Sequence, residues 1–237
     1  IMIEKINQKT WQQTLYSLKD WRLLRIGLLG FSSGLPLLLV FGTLSFWLRE
    51  AGVERSTIGF ISWIALAYAI KVFWSPLVDH FQLPFLFKIF GRRRSWLLFT
   101  QFLIIIGLIG MALSDPKEEL SLVVWLALLV AFSSATQDIA VDAYRIEIAD
   151  QRLQGMMASF YTTGYRLAMF VASAGALWIA AFVDFNENTY EQAPWMIAYM
   201  CMAMFMFIGI ITTLFSPEPK VKVKILEFSS SSENNFL

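Results

Sequence analysis

The sequence predicts an all-α membrane protein, a bundle of six transmembrane helices, and three observations carry that expectation. Of its 237 residues, 57% are hydrophobic and 16% charged, whereas a soluble domain carries roughly a quarter charged residues. The apolar residues fall into six runs of about twenty, the length needed to cross a hydrocarbon layer roughly 30 Å thick. The basic residues divide unevenly between alternating loops, as the positive-inside rule requires of a multi-pass protein.

The runs, in order, are residues 23–48, 57–78, 96–113, 120–146, 155–183 and 195–215. The first contains Ser32-Ser33-Gly34-Leu35-Pro36, and a proline there should loosen or kink the helix at mid-depth. The break reads equally as a packing kink or as part of a substrate-lining wall. The second run contains Lys71 and ends through Trp74-Ser75-Pro76-Leu77-Val78-Asp79. Ser114-Asp115-Pro116 stops the third run and Ser216-Pro217-Glu218-Pro219 the sixth, both turn signals. The organisation expected is a polar arm at 1–22, a transmembrane bundle at 23–215 and a linker or tail at 216–237. The arm is polar, and the first apolar run is too long for a signal-peptide core.

Orientation follows from the loops. One side holds Lys5, Lys9, Lys19, Arg22, Arg25, Lys88, Arg92, Arg93, Arg94, Arg152 and the tail lysines Lys220, Lys222 and Lys224. The other side holds Arg49, Arg55 and Lys117. Both termini are expected on the cytoplasmic side.

Composition also excludes several functions. A net charge of +1 without a basic face argues against nucleic-acid binding. His80 is the only histidine and Cys201 the only cysteine, so neither a His-based triad nor a Cys/His metal centre is expected. No cofactor is implied.

The informative residues are the charges inside apolar segments. Asp138, Asp142 and Arg145 lie within roughly 60° of arc on one helix face at about 100° per residue. Ionisable groups at membrane depth are costly and mark pathways or partner pairs. Asp138 and Lys71 fall at similar depths on different helices, so a Lys71–Asp138 or Lys71–Asp142 pair is expected, either as structural pairing or as proton handling. Arg166 lies on the fifth helix, on a face shared with Gly155, Ser159, Thr163 and Ser173. It should face the bundle interior, to clamp an anionic group or to pair with an aspartate of the fourth helix. Asp138 and then Asp142 are the candidates for proton coupling. Asp79, beside Arg92, Arg93 and Arg94, suggests a cytoplasmic gate latch, with Arg145 at the same mouth.

Four segments together resemble a known family. They are Gly30-Phe31-Ser32-Ser33-Gly34-Leu35-Pro36; residues 68–79, with Lys71 and Trp74-Ser75-Pro76; Gly91-Arg92-Arg93-Arg94-Ser95-Trp96; and Ala135-Thr136-Gln137-Asp138-Ile139-Ala140-Val141-Asp142-Ala143. The chain resembles AmpG-type muropeptide permeases of the major facilitator superfamily and their relatives, the acetyl-CoA transporters. Residues 81–90 make the loop before Gly91 longer than is usual there. The resemblance implies a non-enzymatic, proton-coupled importer of anhydro-muropeptides in the bacterial inner membrane. Its partners would be the muropeptide, protons and the bilayer. Lys71, Arg166, Thr163, Ser33 and Gln137 are the candidate substrate-binding residues on this reading. Such permeases have two six-helix halves, so the chain is expected to be the N-terminal half, as a fragment or an assembling half-transporter, with the facing half missing.

Three other readings remain open on the sequence. They are a carrier of acyl-CoA or another anionic solute, a membrane enzyme using Asp138 and Asp142 as a metal pair, and a scaffold subunit in which the charges only pair.

Overall fold

The computed structural model describes residues 20–148, 152–184 and 189–219; the expected arm at 1–19 and the tail beyond 219 lie outside them. Six helices are long and apolar enough to cross a membrane: α1 (Trp21–Glu50), α2 (Arg55–Phe73), α3 (Arg92–Leu113), α4 (Leu120–Ile148), α5 (Gln154–Val183) and α6 (Gln192–Phe215). The all-α, six-span class expected from composition is the class observed.

Helix α1 is central, packed on α5 along its length and also on α4 and α6; α3 fills the space between α4 and α6. The α1–α5 contact is close because glycines line it. A Cβ placed on Gly30 or Gly34 would fall on the backbone of Tyr161 or Tyr165, and one on Gly164 would fall on the carbonyl of Gly27. In a bilayer, where lipid tails are as apolar as leucine, such small-residue seams let backbones approach and gain dispersion energy.

The core is layered along the membrane normal. One apolar layer holds Leu44, Trp47, Trp195, Tyr199 and Met202; the other, beside the arginines of α3, holds Leu23, Ile26, Trp96, Tyr144 and Met157. Between them lies a polar layer of fully or nearly fully buried Ser32, Ser33, Thr100, Gln101, Gln137 and Thr213. Gln137 Nε2 donates to Ser32 Oγ at 3.0 Å and to Ser33 Oγ at 3.3 Å, and Gln101 Nε2 donates to Thr213 Oγ1 at 3.1 Å. These bonds join α1 to α4 and α3 to α6 where no water can substitute.

The expected loosening of α1 takes a specific form. The helix stays α-helical past Pro36, then widens to a π-helix at Leu39–Thr43. Helix α5 does the same at Val171–Gly175. The two wide turns face each other, and Thr43 Oγ1 donates to the Ala172 carbonyl at 2.7 Å. On the first, Tyr199 Oη donates to the Leu39 carbonyl at 3.0 Å. Side chains thus bond carbonyls of both widened turns, as a bilayer interior demands.

Helix α2 differs from its expected span. It contains 3-10 turns at Ser62–Ala65 and Lys71–Phe73 and ends at Phe73, ahead of a separate helix, Ser75–His80. Pro76 falls in the first turn of that helix, where its missing N–H costs nothing. Only 12% of the apolar window of α2 and 22% of that of α5 is buried, against 61% for α1. These two helices therefore turn broad faces away from the bundle.

The glycine seam predicts that Gly164→Leu and Gly30→Val prevent assembly, because the clash is with backbone that cannot move aside; overpacking with partial relief already costs about 1–3 kcal/mol. Gly59→Ala on α2, where nothing lies within 4 Å, should leave thermal stability within about 1 kcal/mol of the parent. Yield of monodisperse protein and its unfolding temperature in detergent check both expectations.

Candidate functional site

The polar face of α4 meets α2 and α5 in one connected cluster. Asp138 is 5% exposed, and its carboxylate takes two donors from neighbouring helices: Lys71 Nζ at 3.2 Å on Oδ2 and Tyr161 Oη at 3.4 Å on Oδ1. The lysine comes from the last 3-10 turn of α2 and remains partly open, its side chain 30% exposed. One turn along α4, Asp142 pairs with Arg145 of its own helix at 3.2 Å. The Arg145 guanidinium lies 5.8 Å from the centre of the Tyr161 ring, near enough for a cation–π attraction. Tyr161 therefore touches both pairs, donating its hydroxyl to one and presenting its ring face to the other. Tyr165 lies beside it with its ring tilted by 48°, the ring centres 5.9 Å apart. Trp74 closes the edge, donating to Thr136 Oγ1 at 3.2 Å and lying 4.7 Å from the Phe132 ring.

This arrangement sets one carboxyl in a buried place against one amine. Breaking such a pair by removing one partner leaves an uncompensated charge, which costs more than the pair contributes. A proton on Asp138 would instead neutralise the carboxyl and release Lys71 as an ammonium, whose positive charge is then carried by a side chain already 30% exposed.

Several predicted residues sit elsewhere. Ser33 and Gln137 are fully buried and bonded to each other between α1 and α4, behind the cluster rather than open to a cavity. Arg166 does not face the interior of this bundle. It is exposed, because the packed face of α5 is made by Met157, Gly164, Ala168 and Ala172, which leaves Arg166 on the opposite side. There it lines a shallow hollow of about 420 Å³ with Ala158, Ser159, Thr162 and Thr163. The three hydroxyls donate back to carbonyls of their own helix at 2.9–3.1 Å, so they offer lone pairs outward. Among the described residues Arg166 makes no ion pair.

At the arginine end, Arg93 is the hub. It donates to Asp79 Oδ1 at 2.8 Å and to Glu147 Oε1 at 2.6 Å, and Arg92 reaches the same Glu147 oxygen at 2.8 Å. Asp79 was expected to pair with one of the three arginines. Glu147, at the end of α4, was not singled out, because on sequence it merges with the loop that follows. Arg94 is turned away from Asp79. It donates to the carbonyls of Thr213 and Leu214 at 3.0 and 2.7 Å, capping the C-terminus of α6. In return Glu218, just after α6, accepts from the backbone N–H groups of Arg93 and Arg94 at 2.8 and 3.2 Å, capping the N-terminus of α3. Each helix end is thus met by the opposite charge from the other helix. Gly91, with φ of 86°, is needed at this junction, since a side chain there would also strike Glu218.

The opposite end is closed by rings. Trp47 stacks on Trp195 at 6.0 Å; Trp47 Nε1 donates to Tyr190 Oη at 3.2 Å, Tyr190 Oη donates to Asp115 Oδ1 at 2.8 Å, and Trp195 Nε1 donates to Glu50 at 3.1 Å. Burial pushes the Tyr190 phenol above its usual range, with Asp115 adding to the rise, so the hydroxyl stays a donor. No group of three or more His, Cys, Asp or Glu among the described residues is placed to hold a metal ion.

Comparison with known proteins places this geometry in a family. Residues 23–120 match the family described as acetyl-coenzyme A transporter 1, and residues 77–221 match the family described as sugar (and other) transporter. A Rickettsia conorii protein provisionally named transporter AmpG 4 is 38% identical over 212 residues, which is 90% of this chain and 50% of that protein. The anhydromuropeptide permease of Escherichia coli K12 is 40% identical over 192 residues, 81% of this chain and 36% of the permease. A Rickettsia typhi protein provisionally named transporter AmpG 3 is 35% identical over 207 residues, 87% of this chain and 47% of that protein. The chain thus spans between about a third and a half of the length of these curated relatives, corresponding to their N-terminal half. With six spanning helices, and more than half of its length matched, the chain belongs to the sugar (and other) transporter family of the major facilitator superfamily and resembles AmpG-type permeases.

Proposed function

We propose that the chain forms one half of a proton-coupled importer of anhydro-muropeptides in the bacterial inner membrane, with both termini cytoplasmic. The observation that carries the reading is the Lys71–Asp138–Tyr161 cluster, one buried ion pair inside a membrane-spanning bundle of a transporter family. Asp138 takes the proton, and Asp142 relays it from the side of the arginine cluster. Protonation frees Lys71, so the ammonium becomes available to an anionic group of the substrate. Arg166, with the lone pairs of Thr163, Thr162 and Ser159, offers a second cationic wall facing out of this bundle. A facing six-helix half, from the rest of a longer protein or from another chain, completes the cavity. Muropeptides carry carboxylates, which a guanidinium fork binds in a bidentate manner. Asp79, Arg93 and Glu147, with Arg92, latch the cytoplasmic side when that side is closed; Arg94 and Glu218 hold the helix ends on which the latch stands. The chain carries no catalytic role on this reading. Ser33 and Gln137 contribute by holding α4 in register.

A second reading is an acyl-CoA or other anionic solute carrier, favoured by the match of residues 23–120 to the acetyl-coenzyme A transporter family. The same cations would bind its phosphates. In vesicles holding the protein with both halves, proton-driven uptake of labelled anhydro-muropeptide should be competed by unlabelled anhydro-muropeptide and not by acetyl-CoA. The reverse order of competition would favour the second reading.

Asp138→Asn in that two-half protein should lower proton-driven uptake at least about a hundredfold, the lower end of the range for removing a positioned proton-transfer group, while Asp138→Glu retains part of it. Uptake by Asp138→Asn at the parental rate would reduce the pair to a structural role.

The pair also predicts a stability pattern. Lys71→Met should destabilise more than the double variant Lys71→Met/Asp138→Asn, because the single change leaves a buried carboxylate unpaired. Unfolding temperatures of the three proteins in one detergent check this; a double variant no more stable than the single one would contradict it.

A further inference from the structure

The segment between Ser75–His80 and α3 has no part in the transport reading. Residues 81–90 carry only Gln82 and Lys88 as polar side chains, yet they lie at a helix end where the chain should meet water. The segment is shaped by one unusual turn. Phe85 has φ 68° and ψ −54°, and the Pro84 carbonyl accepts from the Leu86 N–H at 2.9 Å, a γ-turn of the rare, strained hand. Phe85 is the only non-glycine residue with positive φ among the described residues. The turn sends the short helix Leu86–Phe90 back against α3, while Trp96 Nε1 holds the start of the segment through the Phe81 carbonyl at 3.0 Å. The result is two-faced. Leu86 and Phe90 turn inward, and Phe81, Phe85 and Ile89 point out, 51%, 84% and 74% exposed. Such rings at the end of a span belong at the membrane interface.

Behind the short helix lies an apolar groove of about 290 Å³, walled by Leu86 and Phe90, by Phe99 and Phe102 of α3 and by Ile210 and Leu214 of α6. Its α3 and α6 walls lie within spanning helices, so the groove opens to hydrocarbon rather than water. Phe99 to Phe102 and Ile210 to Leu214 each cover about one turn, roughly 6 Å of helix, enough to grip the headgroup-proximal methylenes of a tail. One cation stands at the mouth. The Arg94 guanidinium is fixed by the Thr213 and Leu214 carbonyls and lies 5.8 Å from the centre of the Phe90 ring. Lys88 is exposed on the face of the short helix opposite Leu86 and Phe90. The one nearby acid, Glu218, is occupied by backbone N–H groups.

We propose that this groove binds one acyl chain of a phospholipid, in the leaflet that the arginine cluster faces, with an anionic headgroup on Arg94 and with residues 81–90 lying in the interface. Apolar walls at membrane depth fix the tail as occupant, and the guanidinium selects an anionic headgroup over a zwitterionic one. The site is independent of the transported solute, because it lies on the α3–α6 flank away from Asp138.

The test uses the full chain in phosphatidylethanolamine–phosphatidylglycerol vesicles, with phosphatidylglycerol bearing a photoreactive diazirine on its acyl chain. Mass spectrometry of the irradiated protein should place label on Phe90, Phe99, Phe102, Ile210 and Leu214 about fivefold above the exposed pair Ile106 and Met204, which lie on the same two helices outside the groove. Ile210→Trp, which fills the groove, should lower that label to the level of the pair, with helicity by circular dichroism unchanged; Leu214→Trp serves where the first variant does not assemble. Unlabelled phosphatidylglycerol should compete about fivefold better than phosphatidylcholine, the factor expected from one cation at an anionic surface. Groove labelling equal to that of Ile106 and Met204, labelling unchanged by both filling variants, or equal competition by the two lipids would overturn the proposal. So would a groove that takes label only after residues 220–237 are removed, since the chain's own tail would then be the occupant.

Discussion

The contact between α1 and α5 sets the geometry of everything around it. Because Gly30, Gly34 and Gly164 carry no side chains, the two backbones touch, and that depth of approach fixes the height and rotation of α5. Tyr161 is one of the residues whose backbone lies against a glycine, and its hydroxyl reaches Asp138 from there. A wider seam would carry the phenol away and leave the carboxylate with Lys71 alone. Further along the same seam the two π-turns meet at the Thr43 to Ala172 hydrogen bond, so the register set by the glycines also lets a hydroxyl satisfy a carbonyl freed by the wider turn. Packing and polar satisfaction are here the same constraint.

The two ends of the bundle are closed by different chemistry. On the Trp47 side, rings stack and their N–H and O–H groups pass hydrogen bonds to Asp115 and Glu50, a short-range apolar closure with few free charges. On the arginine side, closure is ionic. Arg93 joins Asp79 and Glu147, while Arg94 and Glu218 exchange caps between α6 and α3. Asp79, Glu147 and Arg92 stay partly exposed while Arg93 is buried, so parting them would leave a guanidinium to be rehydrated, whereas parting the ring stack would expose apolar surface. The two ends are thus held by different costs.

Much of this was legible in the sequence, for a physical reason. Charges inside apolar runs are so costly that their positions mark sites, and so Asp138, Lys71, Asp142, Asp79 and the arginines stood out. Matching depth left Lys71 with Asp138 or Asp142 as its partner, and the structure pairs it with Asp138. What did not stand out were groups ordinary for their surroundings. Tyr161 and Tyr165 are unremarkable in an apolar helix, and only their i, i+4 spacing beside Gly164 could have hinted at a shared face. Glu218 read as part of a helix stop, since an N-cap supplied from far along the chain leaves no local pattern. Arg166 was expected to look inward because a lipid-facing arginine is prohibitive. In the structure it looks out of the bundle, on a helix face that its own half leaves uncovered. That rule assumes that the helices described enclose the whole interior; on the proposed two-half transporter, the uncovered face of α5 would be turned to the facing half.

The central claim is that Asp138 changes protonation as substrate is handled. Infrared difference spectroscopy of the two-half protein, recorded with and without anhydro-muropeptide, reads a carboxyl proton directly. The account predicts a carboxylic-acid C=O band whose amplitude changes on substrate addition and which is missing from Asp138→Asn. A difference spectrum without that band, or one identical in Asp138→Asn, would contradict it.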